Sequence, residues 1–486
     1  MENANHALPA AGLPARAFLV GIGGSGMMPL ATLLAARGVA VAGSDRALDA
    51  GRVPAKFDAL AAAGVALFPQ DGSGIVSADQ LVVASAAVED SVPDMVAAAR
   101  VGAPRTARAA LLARLFNASD LPIGVAGTSG KSTVTGMIGW ILDAAGRDPT
   151  VMNGAVMKNF ARPDAPFASA RVGGNAVFVA ELDESDAAFP LYRARVLALN
   201  NVSLDHKTMA ELRALFGGAA AEAETTVVNI GDPEAAALAH ALPRERLVTV
   251  AVEGAADLTA EALTPEPFAM SFDLVAGGER YPVRLAVPGR HNVANALVAL
   301  AAARAAGVPL AEGVQAIGGF AGLKRRFELV GVVGDGAAGV AVIDDFGHNP
   351  DKIAATLATL HAHPGRLLVL FQPHGYGPIR MLRDGLVDTF ATGLAAGDVL
   401  VLPDPVYQGG TVDRSLGSEA ITAPLAAAGH DARHIADRAA AAAALVEAAR
   451  PGDRIVVMGA RDDTLPLLAH DMVAALHRKA GAAQAM

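Results

Sequence analysis

The stretch V-A-G-T-S-G-K-S-T, residues 125–133, decides how this chain is read. An apolar run, PIGVA, leads into it, and STVTGMIGWIL, which reads as a helix, leads out. A strand, a glycine-bearing loop and a helix in that order point backbone N–H groups and a helix N-terminus at one spot, which favours a phosphate. Gly127 and Gly130 let those N–H groups converge on phosphate oxygens, with Thr128 and Ser129 between them. Lys131 is placed to reach β- and γ-phosphates, and Ser132 or Thr133 to offer a hydroxyl to Mg²⁺. The loop is one residue off the common G-x-x-x-x-G-K-[ST] spacing. The competing reading is a glycine-rich turn with a solvated lysine. The strand–loop–helix setting, with Lys-Ser-Thr in place, argues against it.

Working outward, short apolar runs alternate with helical stretches almost throughout: AFLVG, QLVVAS, AVFVAEL, RVLALNN, TTVVNI, GVAVIDD, RLLVLF and DRIVVMG. That alternation predicts parallel α/β sheets. Composition changes at 117–122 (NASDLP) and 318–327 (GGFAGLKRRF) divide the chain into expected domains of residues 1–120, 121–322 and 323–486, each of ordinary domain size.

Chemistry-bearing residues cluster where these apolar runs end. E-L-D-E-S-D (181–186) puts Glu181 directly after a buried run, where a Mg²⁺ ligand belongs beside a phosphate loop, with Asp183 and Ser185 following. An acidic surface loop is the alternative. N-N-V-S-L-D-H (200–206) ends on His206, which suits a second cation site or a capping or core histidine. P-G-R-H-N-V-A-N-A (288–296) opens a long alanine-rich helix, where His291, Asn292 and Asn295 either cap the helix or read an adenine edge. K-R-R-F (324–327), D-D-F-G-H-N-P (344–350) and F-Q-P-H-G-Y-G-P-I-R (371–380) contribute Arg326, Asp345, His348, His374 and Arg380. The last two segments follow strands at their carboxyl ends, where open α/β sheets bind ligands. Near the start, G-I-G-G-S-G (Gly21, Gly23, Gly24, Ser25, Gly26) follows one strand and Asp45 ends the next. That pattern alone fits a dinucleotide dehydrogenase as well as the diphosphate of a nucleotide sugar. A hydride transferase, however, has no use for a second phosphate loop further along the chain.

Composition narrows the classes. The 486 residues are 52% hydrophobic and 18% charged, which is globular and not disordered. A net charge of −10, with no basic stripe, argues against a polynucleotide partner. There is no cysteine, so disulfides, zinc–thiolate sites and a thiol nucleophile are excluded. Residues 17–36 run without a charge, but four glycines and Pro29 interrupt them. They read as a strand, a turn and a helix ending at Gly38, not as a membrane span. A cytoplasmic protein, monomeric or weakly dimeric, is the expectation, with small-molecule partners.

Taken together and in this order, the motifs GIGGSGM, GSD, VAGTSGKST, AELDESDAAF, NNVSLDH, GRHNVANA, KRRFE, DDFGHNP and FQPH resemble the Mur ligases of peptidoglycan assembly, over about residues 15–465. The resemblance implies three α/β domains: a Rossmann-like UDP-sugar domain, a central P-loop-type ATPase domain and a Rossmann-like C-terminal domain that brings the amino acid. It implies ATP and Mg²⁺, and amide-bond formation through an acyl phosphate between a UDP-sugar carboxylate and an amino acid, most simply L-alanine. By the same resemblance Lys131, Glu181, His206, Arg326, His348 and His374 are catalytic, with Ser132, Glu181 and His206 as Mg²⁺ ligands. His291, Asn292 and Asn295 fall on the adenine side, and Arg326 and Asp345 are third-domain groups that meet ATP. The glycine-rich start, Asp45, Asp183, Ser185, Arg380 and Arg461 face the substrates.

The chain departs from the family pattern in places. Ser129 and Ser132 stand where the loop usually carries His or Asn and Thr. Gly375 and Pro378 stand where arginines are usual, Phe346 replaces a tyrosine and Asn349 a histidine. The activating half therefore looks retained and the acceptor pocket rebuilt, with Arg380 or Arg383 as substitutes, or with a different acceptor such as a short peptide. A UDP-sugar or nucleotide binder that has lost catalysis is the third reading. The retained Lys131, Glu181 and His206 argue against it.

Overall fold

A computed structural model describes residues 12–85, 88–185, 187–204, 207–334, 339–406, 413–460 and 462–484. His206 and Arg461 lie outside the described residues, so the structure places neither.

Every apolar run named above forms a strand. The first sheet is parallel, in the spatial order Ala66–Phe68, Ala40–Ser44, Arg16–Val20, Leu81–Ala84, Arg105–Ala107. The strand order reverses beside Arg16–Val20, and such a switch point opens a crevice at the carboxyl ends of the strands. The loop 21–26 sits at that end, and the helix Met27–Ala36 follows it. Glycine at 38, with φ +83°, ends this helix region where the sequence placed the stop. No helix among the described residues is long and apolar enough to cross a membrane.

The second sheet has ten strands, with Leu121–Ala126 between Val196–Leu199 and Val177–Glu181. Both neighbours run parallel to it, pairing Leu199 with Ala126 and Glu181 with Val125. The helix Lys131–Ala144 buries Val134, Met137, Ile138, Ile141 and Leu142. Their spacing of three and four residues is a single helical face, which fixes the helix on the sheet and its N-terminus at the loop. The sheet extends through Leu247–Val252, Leu258–Glu266, Ala269–Ala276 and Glu279–Leu285, which the sequence reading did not pick out. The last two are joined by Gly277 and Gly278, both at positive φ, as a tight hairpin requires.

The third sheet has the order Glu328–Val333, Val340–Asp345, Arg454–Met458, Leu367–Phe371, Val399–Leu402, Asp431–His434. Only Glu328–Val333, at the edge, is antiparallel to its neighbour among the recorded pairings. This sheet belongs to a compact unit made of Thr264–Ser271, Ala286–His291 and Leu323–Met486. The first sheet and all of the second except parts of the strands Leu258–Glu266 and Ala269–Ala276 lie in the other unit, which is described separately below.

Candidate active site

In the unit that holds the first sheet and most of the second, three adjacent strand ends build one site. The phosphate loop leaves Ala126, Glu181 ends the strand on one side, and Asn200 follows the strand on the other. Gly127 and Gly130 adopt φ of +131° and +81°, a backbone that residues with a Cβ rarely take. A Cβ on Gly130 would meet Asn200 Nδ2 at 2.5 Å and Asn295 Oδ1 at 2.6 Å.

Asparagines clasp this loop. The Ser129 amide donates to Asn201 Oδ1 at 2.8 Å, and its carbonyl accepts from Asn200 Nδ2 and Asn201 Nδ2, each at 2.9 Å. Asn200 Nδ2 also donates to Asn295 Oδ1 at 2.9 Å, and Asn295 Nδ2 to Asn292 Oδ1 at 3.0 Å. Asn292 and Asn295 are buried and tie the helix Arg290–Ala305 to the loop, while His291 in its first turn is exposed. Thr128 Oγ1 donates to the Ser203 carbonyl at 2.9 Å and accepts from the Ser203 amide at 3.0 Å. Sequence reasoning missed Asn200 and Asn201. Their signal was two consecutive amides at the end of a strand adjacent to the loop strand. Thr133 is half-buried in the first turn of the following helix.

Carboxylates meet the loop's reactive groups. Lys131 Nζ donates to Glu184 Oε2 at 2.5 Å and to the Gly127 carbonyl at 2.8 Å. Ser132 Oγ donates to Glu181 Oε2 at 2.8 Å. Adjacent ligands of an octahedral Mg²⁺ at 2.0–2.1 Å stand about 2.9 Å apart, so these two oxygens fit neighbouring positions on one ion. The remaining positions are open to waters and phosphate oxygens, as Mg²⁺ favours. Among the described residues no group of three His, Cys, Asp or Glu side chains forms a metal cage.

At the first sheet, the loop 21–26 is pinned from behind. The Gly21 and Ile22 amides donate to the Ser44 carbonyl at 2.8 and 2.9 Å. Asp45 Oδ2 accepts from the Gly23 amide at 2.8 Å, and Oδ1 from the Ala47 amide at 2.7 Å. Gly24 and Ser25 form the exposed tip. Two cations absent from the sequence reading lie here. Lys56 Nζ donates to the Gly23 carbonyl at 2.9 Å, and the Arg108 guanidinium covers Gly26, where a Cβ would come within 3.0 Å of Nη1. Arg108 also acts on the acidic motif. Crowding by protein works against the Asp183 charge, but the Ser185 hydroxyl, Lys131, the Ser185 amide and Arg108 together hold that carboxyl below its usual range. Ser185 donates to Asp183 Oδ1 through both its amide, at 3.0 Å, and its hydroxyl, at 2.7 Å.

In the other unit, Asp345, Phe371 and Met458 end adjacent strands. Asp345 is buried and fully engaged: it accepts from the Phe327 amide at 3.0 Å, the Gly347 amide at 3.1 Å and Thr356 Oγ1 at 2.7 Å. Its neighbour Asp344 is buried without a hydrogen bond to either oxygen, and burial pushes its carboxyl up to about 7, against the pull of Arg325 3.5 Å away. Arg326 and Arg325 both lie over the Phe346 ring, at 4.3 and 5.1 Å from its centroid. The His348 ring stands edge-on to Phe346 and to His374, each at 5.4 Å. Its Nδ1 lies 2.9 Å from the Phe346 carbonyl. A carbonyl can only accept, so Nδ1 carries the proton and Nε2 presents a lone pair. Burial and then Lys352 push His348 down to about 3, so it is neutral at physiological pH.

The departures have structural counterparts. Gly375 has φ +151° and caps the helix Tyr376–Gly393, and Pro378 sits in its first turn, where a missing N–H costs no hydrogen bond. Arg380 Nη2 is paired with Asp413 Oδ2 at 2.8 Å, and Arg383 with its neighbour Asp384. A cavity of about 440 Å³ beside Tyr376 is lined by Asp404, Arg414, Ser415 and Glu419.

A phosphate loop, a hydroxyl–carboxylate pair with a spacing that fits Mg²⁺ and a glycine-rich loop on a doubly wound sheet point to an enzyme class that works on phosphorylated substrates. Family models for the Mur ligase catalytic domain, middle domain and glutamate ligase domain match residues 18–120, 125–303 and 325–461. The chain belongs to the Mur ligase family. It is 35% identical to the UDP-N-acetylmuramate–L-alanine ligase of Streptomyces coelicolor, over 94% of this chain and 97% of that protein. It is 34% identical to the same-named ligase of Cereibacter sphaeroides, over 95% and 96%. Among solved structures, the UDP-N-acetylmuramate–alanine ligase of Thermotoga maritima superposes with a TM-score of 0.77 at 25% identity, covering 96% of this chain and 99% of that one. A murein peptide ligase from Psychrobacter arcticus gives 0.68 at 25% identity, covering 95% and 99%.

Proposed function

We propose that the chain joins the carboxylate of UDP-N-acetylmuramate to the amine of L-alanine, cleaving ATP to ADP and phosphate. The observation that carries this reading is the convergence of Lys131, Ser132 and Glu181 at two neighbouring strand ends. A carboxylate oxygen of the sugar attacks the γ-phosphorus of ATP, and ADP leaves. The amine then attacks the acyl phosphate carbonyl, phosphate leaves, and the amine loses a proton. Carboxylate and triphosphate repel each other, so the site must supply positive charge where they meet. Lys131 and the N-terminus of the helix it opens do so. Ser132 and Glu181 would hold Mg²⁺, which when bound offsets charge on the β- and γ-phosphates. The loop 21–26, with Lys56 and Arg108, is assigned the sugar diphosphate.

The test is phosphate release with ATP, Mg²⁺ and UDP-N-acetylmuramate, across twenty amino acids and short peptides. Release with L-alanine supports the assignment, and none with any amine overturns it. One observation favours a second reading, in which the acceptor is a peptide. Gly375 and Pro378 remove two cations, and the cavity by Tyr376 offers carboxylates and Arg414 to a longer zwitterion. A higher kcat/KM for a tripeptide than for alanine selects that reading.

A further inference from the structure

Glu184 of the ELDESD motif has no part in the reaction scheme above, and it is buried, with its side chain 2% exposed. The turn that carries it explains its direction. Ser185 bonds Asp183 through both amide and hydroxyl, which holds the Asp183 carboxylate in a local loop on the exposed side. The intervening Glu184 is turned inward and meets Lys131. A buried carboxylate without a cation is strongly unfavourable, so Glu184 depends on Lys131 for its charge to be held there. The same ammonium also donates to the Gly127 carbonyl, so two acceptors fix the lysine across the mouth of its own loop.

We infer that Glu184 is a positioning residue for Lys131, standing in for the β- and γ-phosphates until a nucleotide displaces it. This inference rests on the assignment of the loop to ATP. A phosphate seated on the loop N–H groups brings at least two negative charges to the lysine that Glu184 already neutralises. Carboxylate and phosphate repel across that lysine, so nucleotide entry weakens the Lys131–Glu184 pair, and the pair in turn weakens nucleotide binding. Reciprocity of this kind is a thermodynamic necessity. The penalty falls on ligands that reach Lys131. AMP, which lacks β- and γ-phosphates, escapes it.

The experiment is calorimetric titration of the full chain with ATP, ADP and AMP in Mg²⁺, comparing wild type with Glu184→Gln. The amide keeps the shape and can still accept from Lys131, but it removes the charge. The Kd for ATP and for ADP is expected to fall about tenfold, with AMP unchanged. In steady state the KM for ATP falls while kcat does not rise. A purely structural ion pair would instead lower the melting temperature and leave nucleotide affinities alone. Glu184→Asp, which keeps the charge on a shorter arm, is expected to lie between the two, and carries the same test if the glutamine variant does not fold. Unchanged or weaker ATP binding in a folded variant overturns the role of Glu184 alone, as does an equal shift for AMP. Wild-type protein that binds neither ATP nor ADP overturns the ATP assignment and this inference together.

Discussion

The Ser132 hydroxyl donates to Glu181 Oε2 at 2.8 Å, across the boundary between two paired strands. This short distance joins the phosphate loop to the acidic motif, and the proposed Mg²⁺ position draws on two segments far apart in sequence. Glu181→Gln is therefore expected to lower kcat by about 100-fold and to raise the Mg²⁺ needed for half-maximal rate. Ser132→Ala, which leaves the carboxylate in place, should cost less. Phosphate release titrated with Mg²⁺ checks both. An unchanged Mg²⁺ dependence in Glu181→Gln would falsify the metal assignment.

Arg108 lies across Gly26 and reaches Asp183 electrostatically, so it stands where the loop 21–26, proposed to hold the sugar diphosphate, meets the acidic motif. A charge-assisted contact to a diphosphate is worth about 1.5–3 kcal/mol. Arg108→Ala should thus raise the Kd for the UDP-sugar at least about tenfold while leaving ATP binding near its original value. Titration with each ligand separately is the measurement. Equal loss of both affinities would point to misfolding of the loop.

Gly130 is held where a methyl group would strike Asn200 and Asn295, and its φ of +81° is itself costly for alanine. Backbone strain of this kind costs about 1–3 kcal/mol. Gly130→Ala should lower the unfolding midpoint and weaken ATP binding together, since the asparagine clasp and the loop N–H groups are one structure. Gly146, also at positive φ but with open space around it, is the control: alanine there should lower stability without weakening ATP binding.

How far this site was legible depends on how local each signal is. Lys131 and Ser132 were readable because a strand, a loop and a helix within one stretch dictate their geometry, and Glu181 because it directly ends an apolar run of its own. Asn200, Asn201 and Glu184 were not, because their roles depend on which strands are neighbours. Sheet order placed NNVS and ELDESD on either side of the loop strand, and no spacing in the sequence states that order. Asp345 shows the converse. An aspartate at a strand end reads as a ligand group, whereas here all its recorded bonds go to Phe327, Gly347 and Thr356. The hairpin at Gly277–Gly278 has a local signal, a glycine pair, that was passed over.

His348 carries its proton on Nδ1 and is pushed down to about 3 by burial and Lys352. A histidine depressed in the folded state favours unfolding as pH falls, because the unfolded chain takes up the proton first, from about pH 6.5 downward. Wild type is expected to lose stability between about pH 6.5 and 3 more steeply than His348→Gln. The imidazole nitrogen resonances of His348 should remain those of a neutral ring at pH 6. A protonated ring at that pH would show that burial does not depress His348.

Asp344 supplies the opposite case. Burial pushes its carboxyl up to about 7 from 3.8, and neither oxygen has a hydrogen bond. Its folded pKa exceeds the unfolded one, so the protonated form favours folding. That contribution is whole below about pH 4 and is lost as pH rises through 7. Asp344→Asn keeps the shape and cannot ionise, so it does not lose that contribution. The variant should gain on wild type steadily from pH 4 to 7 and hold a constant advantage above. Arg325, 3.5 Å away, loses its ionised partner in the variant, which offsets the gain at high pH but does not alter the slope below it. Urea unfolding at pH 5 and pH 8 measures this. Parallel pH profiles for the two proteins would show that Asp344 stays ionised throughout and that Arg325 compensates its burial.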